Sequence, residues 1–249
     1  MRAQDKLPHV TLVFWIMKIA ATTLGETAGD LLSMTLAVGY AVSSVILLGF
    51  FVLALLGQVA ARRYHPALYW SVILATSTAG TTLSDFMDRS LGFGYAKGSA
   101  LLVTLLGVVL FVWRRTEGSL AVDRALSRRG ELFYWSAILC SNTLGTALGD
   151  FLADDSGLGF AASALLIAGL LAVVVALTFL TRLSRVALFW VAFVLTRPFG
   201  ATMGDVLTKS PKLGGLGLGT LGSSAVLFAL LAGLVVRESL LLRASRAAT

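Results

Sequence analysis

The chain has 249 residues, 57% of them apolar and 13% charged, with a mean hydropathy of +0.87. Soluble domains run at about 45–50% apolar and about 25% charged, so composition argues against a soluble fold and length is better measured in membrane spans of roughly 20 residues. The net charge of +7 comes from basic residues scattered between apolar runs, which argues against a nucleic-acid partner, and the single cysteine, Cys140, leaves no intrachain disulfide, CxxC pair or thiolate cluster.

In chain order, the first apolar stretch starts at Val10 and runs into the polar segment TTLGETAGD without an A-x-A cleavage site, so it is expected to stay as the first span. Odd-numbered helices that carry this kind of segment then alternate with almost wholly apolar even-numbered ones, such as AVSSVILLGFFVLALLG and AASALLIAGLLAVVVAL. Glycine-bearing turns (LAVGY, LGFGY, GLGF) join the two helices of each unit. The sequence therefore predicts an all-α integral membrane protein of about eight transmembrane helices. Arginines cluster after every second apolar run: Arg62 and Arg63; Arg114, Arg115, Arg124, Arg128 and Arg129; Arg182 and Arg185; Arg237, Arg243 and Arg246. The alternate connections hold only Arg89, Lys97, Lys209 and Lys212. The positive-inside rule then places both termini and the arginine-rich loops in the cytoplasm.

Internal repetition is the most specific signal. Trp15, Trp70, Trp135 and Trp190 are each followed ten residues later by Gly25, Gly80, Gly145 and Gly200, and fifteen residues later by Asp30, Asp85, Asp150 and Asp205. The copies are spaced by 55, 65 and 55 residues, which predicts four parallel two-helix repeats in two duplicated four-helix halves. The halves are 1–113 and 131–249, joined by a basic cytoplasmic linker, 114–130. At 1.5 Å per residue each aspartate stands roughly 22 Å beyond its tryptophan, in the outer part of the apolar layer.

The glycine and the small residue before each aspartate are four apart: Gly25 and Gly29, Gly80 and Ser84, Gly145 and Gly149, Gly200 and Gly204. Such small-xxx-small spacing lets helix backbones approach closely, so the odd helices are expected to form an inner ring. A carboxylate at membrane depth costs about 2.5–3.5 kcal/mol, so the four aspartates are expected to face the ring interior. Residues eight and four before each aspartate share that face: Thr22 and Glu26, Ser77 and Thr81, Asn142 and Thr146, Arg197 and Ala201. Hard oxygen donors without sulfur or histidine suit manganese, magnesium or calcium, or else protons and sodium. The candidate metal ligands are Asp30, Asp85, Asp150, Asp205 and Glu26, with Thr22, Ser77, Thr81, Asn142 and Thr146 as further oxygen donors. Lys18 and Arg197 are the candidate counter-ions, too few to neutralise the acids without a cation or bound protons. The competing reading is structural, with each aspartate capping the next helix or accepting hydrogen bonds from threonines.

Repeat four departs from the others in carrying Arg197 followed by Pro198, a proline expected to kink its helix. Phosphate-loop, HExxH and GxSxG motifs are absent from the sequence, so no enzyme activity is expected, and no cofactor beyond a bound or transported cation.

With these motifs, the chain resembles a family of small bacterial multi-pass membrane proteins grouped as uncharacterised membrane-anchored proteins, which repeat T-x-G-x-x-x-[GS]-D. The resemblance runs from Phe14 to Val236, and repeat four departs from it with Pro198 in place of the threonine. In outline the chain is also similar to repeat-built cation exporters with acidic membrane motifs, although no longer motif matches. The reading that follows is a membrane transporter, an exporter of a divalent metal cation of the manganese type, coupled to protons, in the bacterial cytoplasmic membrane. The alternatives are a non-transporting scaffold or sensor, and a cation channel. The implied partners are the lipid bilayer and an inorganic cation, with oligomerisation left open.

Overall fold

The computed structural model describes residues 6–122 and 126–247. Arg124 of the expected linker, and Thr249, lie outside the described residues. Among these residues the fold is entirely helical: α1 (Leu12–Asp30), α2 (Tyr40–Ala60), α3 (Pro66–Asp85), α4 (Tyr95–Glu117), α5 (Arg128–Asp150), α6 (Gly159–Leu180), α7 (Arg185–Thr208) and α8 (Thr220–Ala247). The connection between the halves is shorter than the sequence suggests. Arg114–Glu117 is the last turn of α4, and α5 already starts at Arg128, where the Ser127 hydroxyl caps it by accepting from the Gly130 N–H.

Five helices, α2, α4, α6, α7 and α8, are long and apolar enough to cross a membrane. The other three, α1, α3 and α5, have similar lengths of 19, 20 and 23 residues but carry the serine, threonine and acidic positions of the motif. Their polar groups are buried against other helices, while the outer helices expose Val45, Leu53, Leu165, Phe179, Leu221 and Val226. Such an apolar exterior around a polar centre fits a lipid environment.

The motif helices form a closed ring in the order α1, α3, α5, α7 and back to α1. The small residues are what close it. A Cβ on Gly25 would run into Ser77, one on Gly80 into Asn142, one on Gly145 into Arg197, and one on Gly200 into Thr22. Each glycine thus seats the residue eight before the aspartate of the next helix, four times round the ring. The even helices do not fold back as packed hairpins on their own partners. Instead α2 lies mainly on α3, α4 on α5, α6 on α7, and α8 on α1. Every repeat therefore covers its successor, and the last helix covers the first.

Between α1 and α2, α3 and α4, and α5 and α6 the chain passes through a single π turn (31–35, 86–90, 151–155) that begins directly after the motif aspartate. Asp30, Asp85 and Asp150 make no capping hydrogen bond there, which corrects the capping alternative. Gly39 and Gly94 then turn the chain into the next helix at φ +82° and +74°, a region that favours glycine. Repeat four is built differently: α7 continues through Pro198 to Thr208 and is followed by a longer connection, 209–219.

Candidate cation site

The ring interior is stratified along its axis. At the tryptophan end, Trp70, Trp135, Trp190, Trp113, Tyr69 and Tyr134 pack edge to face, and the Tyr69 and Tyr134 hydroxyls share a hydrogen bond of 2.6 Å. A cavity of about 180 Å³ opens beside this layer, lined by His9, Phe14, Met17, Trp70, Arg237 and Glu238. The Glu238 carboxylate accepts from the Tyr64 hydroxyl at 2.9 Å and the Trp70 indole at 3.2 Å.

One level further in, Lys18, one of the two candidate counter-ions, is fully buried. Its Nζ lies 3.9 Å from the centroid of Phe193 and 3.5 Å from Asn142 Oδ1. Asn142 in turn donates to the hydroxyls of Thr76 and Ser77, at 2.9 and 3.2 Å.

Arg197 occupies the centre of the ring and touches all four motif helices. From α7 its guanidinium donates to Glu26 at 3.0 Å and the Thr22 carbonyl at 3.5 Å on α1. It also reaches the Ser77 carbonyl at 3.2 Å and Thr81 Oγ1 at 2.5 Å on α3, and Thr146 Oγ1 at 2.7 Å on α5. Thr81 and Thr146 each also donate to Glu26 Oε2. The partner of Arg197 is thus Glu26, and not an aspartate. Thr22 hydrogen-bonds the Lys18, Ile19 and Thr196 carbonyls. Thr22, Ser77, Asn142, Thr81 and Thr146, the further oxygen donors of the sequence, all take part in bonds between the motif helices or to Arg197.

At the aspartate end all four motif aspartates are buried, but they form two pairs and not one ring. Arg89 bridges Asp85 (Nε to Oδ1, 3.0 Å) and Asp150 (Nη2 to Oδ2, 3.3 Å) while lying over the rings of Tyr40 and Tyr95. Lys209 bridges Asp205 (Oδ1, 3.2 Å) and Asp30 (Oδ2, 3.4 Å). Burial alone would lower the Lys209 ammonium, but the carboxylates of Asp205 and Asp30 outweigh it and hold the pKa above its ordinary value. The two bases correct the expectation that Lys18 and Arg197 are the only counter-ions. They were missed because both sit beyond the apolar runs, although Asp85–Arg89 and Asp205–Lys209 share an i,i+4 spacing that puts them on one helical face.

The pairs differ in one residue. Glu26 belongs to the Lys209 side, where one oxygen each of Glu26, Asp30 and Asp205 lies within 4.8 Å of the others. Three carboxylates at that separation match the donor set of a hard divalent cation. Among the described residues this is the group of acids suited to a metal, whereas Asp85 and Asp150 stand apart from it.

Four segments, 13–64, 68–119, 133–184 and 188–242, match the family model described as a repeat of unknown function, DUF347. The chain belongs to that family. Each DUF347 repeat supplies one motif helix to the ring and one apolar helix that covers the next repeat. No curated protein and no solved structure matches the chain.

Proposed function

We propose that this DUF347 protein is a carrier of a divalent metal cation, manganese-like in its preference for hard oxygen ligands, and that it works as an exporter coupled to protons. The observation that carries the reading is the convergence of Glu26, Asp30 and Asp205. Carboxylates held together at membrane depth are costly unless a cation or proton joins them. In the same reading all eight helices span the bacterial cytoplasmic membrane, both termini are cytoplasmic, and the aspartate end faces outward. A carrier is favoured over a channel because Arg197 and Lys18 fill the ring axis, so passage requires a change of conformation. The protein acts as a transporter and not as an enzyme.

A second reading, a membrane scaffold or sensor, draws on the fact that each motif aspartate already has a basic partner. Growth and metal content of a deletion strain across a panel of metals separate the two. A carrier predicts raised cell manganese and sensitivity to it on deletion, reversed by the intact gene but not by an Asp30→Asn copy. Equal metal content in all strains supports the scaffold.

A further inference from the structure

Building on the carrier reading, we propose that the Lys209 ammonium is a tethered substitute for the transported cation, occupying the Asp30–Asp205 site when it is empty and leaving when the metal enters. The ammonium lies 3.2 Å from Asp205 Oδ1 and 3.4 Å from Asp30 Oδ2. A divalent ion bound by the same carboxylates at about 2.0–2.6 Å would fall in the volume that Nζ fills, so the two exclude one another. Charge favours the exchange. Arg197 already pairs with Glu26, so Lys209 leaves the two aspartates one charge short of neutrality, and a divalent cation in its place completes it.

Comparison with the other pair shows why the exchange belongs on this side. Arg89 grips Asp85 and Asp150 through two different nitrogens and lies over two tyrosine rings, a planar fork that acts as a fixed clamp. Lys209 is a point charge on a flexible stem; its side chain is 23% exposed against 32% for Arg89, so both reach the surface, and what sets Lys209 apart is its single-atom grip without a planar fork or a ring beneath it. It also stands at the head of the 209–219 connection, where Gly214, Gly217 and Gly219 have positive φ. With the lysine in place the unloaded carrier holds no naked pair of carboxylates at membrane depth, which lowers the cost of the return step.

The test measures Mn²⁺ binding to the purified full-length protein by titration calorimetry at neutral pH, comparing wild type with Lys209→Met, Lys209→Gln and Lys209→Arg. Removing the competing charge should tighten Mn²⁺ binding about tenfold or more in both neutral variants, while the arginine variant binds more weakly than wild type. A merely structural lysine predicts the reverse order: loss in the neutral variants and rescue by arginine. Wild type that binds Mn²⁺ alongside neutral variants that bind no tighter overturns this inference alone. Failure of wild type and both neutral variants to bind Mn²⁺ overturns the carrier reading and this inference with it.

Discussion

Gly80 on α3 lies directly against the backbone between Asn142 and Thr143 on α5, where a Cβ would sit 2.9 Å from the Asn142 carbonyl carbon and 2.9 Å from the Thr143 nitrogen. Because the obstructing atoms are main chain on both counts, no side-chain rotation relieves the clash. Gly80→Ala should therefore force α3 and α5 apart and destabilise the protein by about 1–3 kcal/mol, the usual range for overpacking. Gly107→Ala on α4, where nothing stands within 4 Å, is the control and should be neutral or stabilising, since alanine is the better helix former. Thermal melting of both variants in detergent checks the contrast. Equal melting temperatures would show that the glycine register is not what closes the ring.

Arg197 and Glu26 form an ion pair at 3.0 Å with both side chains shut off from solvent. Truncating one member leaves the other charged and buried, at a cost of about 3–5 kcal/mol. Arg197→Met alone should thus lower the melting temperature strongly. Combining it with Glu26→Gln should recover part of the loss, because the double variant leaves neither charge unpaired. A double variant no more stable than the single one would mean that the hydroxyl bonds of Arg197 matter more than its charge.

The Arg89 bridge leads to a different expectation for its acids. Asp85→Asn leaves Arg89 with Asp150 as its carboxylate partner, so the variant should be less stable than wild type in chemical denaturation yet keep measurable Mn²⁺ binding. Loss of binding with stability unchanged would place the ion at the Asp85–Asp150 pair and move the site assignment across the ring.

Topology is tested by reporter fusions. Fusions at Thr249 and within the turn at Gly157 should report opposite sides of the membrane, the carboxyl terminus inside, because the arginine clusters lie on the tryptophan side. Matching locations would contradict the orientation.

How far the sequence carries depends on which features are local. The four aspartates, the glycines and the inner ring were readable because helical periodicity fixes which residues share a face, and the four-residue spacing of Gly25–Gly29 marks a close approach. Glu26 was readable as facing the same interior for the same reason. The choice of α3 and not α1 as the neighbour of α2 was not readable, since either would bury the same apolar stripe. The π turns after Asp30, Asp85 and Asp150 leave no clear composition signal. Arg89 and Lys209 were assigned to loops by counting apolar residues, and only the fold shows that they reach back to the aspartates. The division of the four motif aspartates into an Arg89-bridged pair and a Lys209-bridged pair lies in those two long side chains.

Whether Glu26, Asp30 and Asp205 carry a divalent cation across the membrane is tested most directly by Mn²⁺ flux into proteoliposomes under an imposed proton gradient. The expected result is gradient-driven flux for wild type, flux reduced to the level of empty liposomes for folded Asp205→Asn, and residual flux for Asp85→Asn. Wild-type liposomes that pass no more Mn²⁺ than empty ones, or an Asp205→Asn protein that transports as well as wild type, would contradict it.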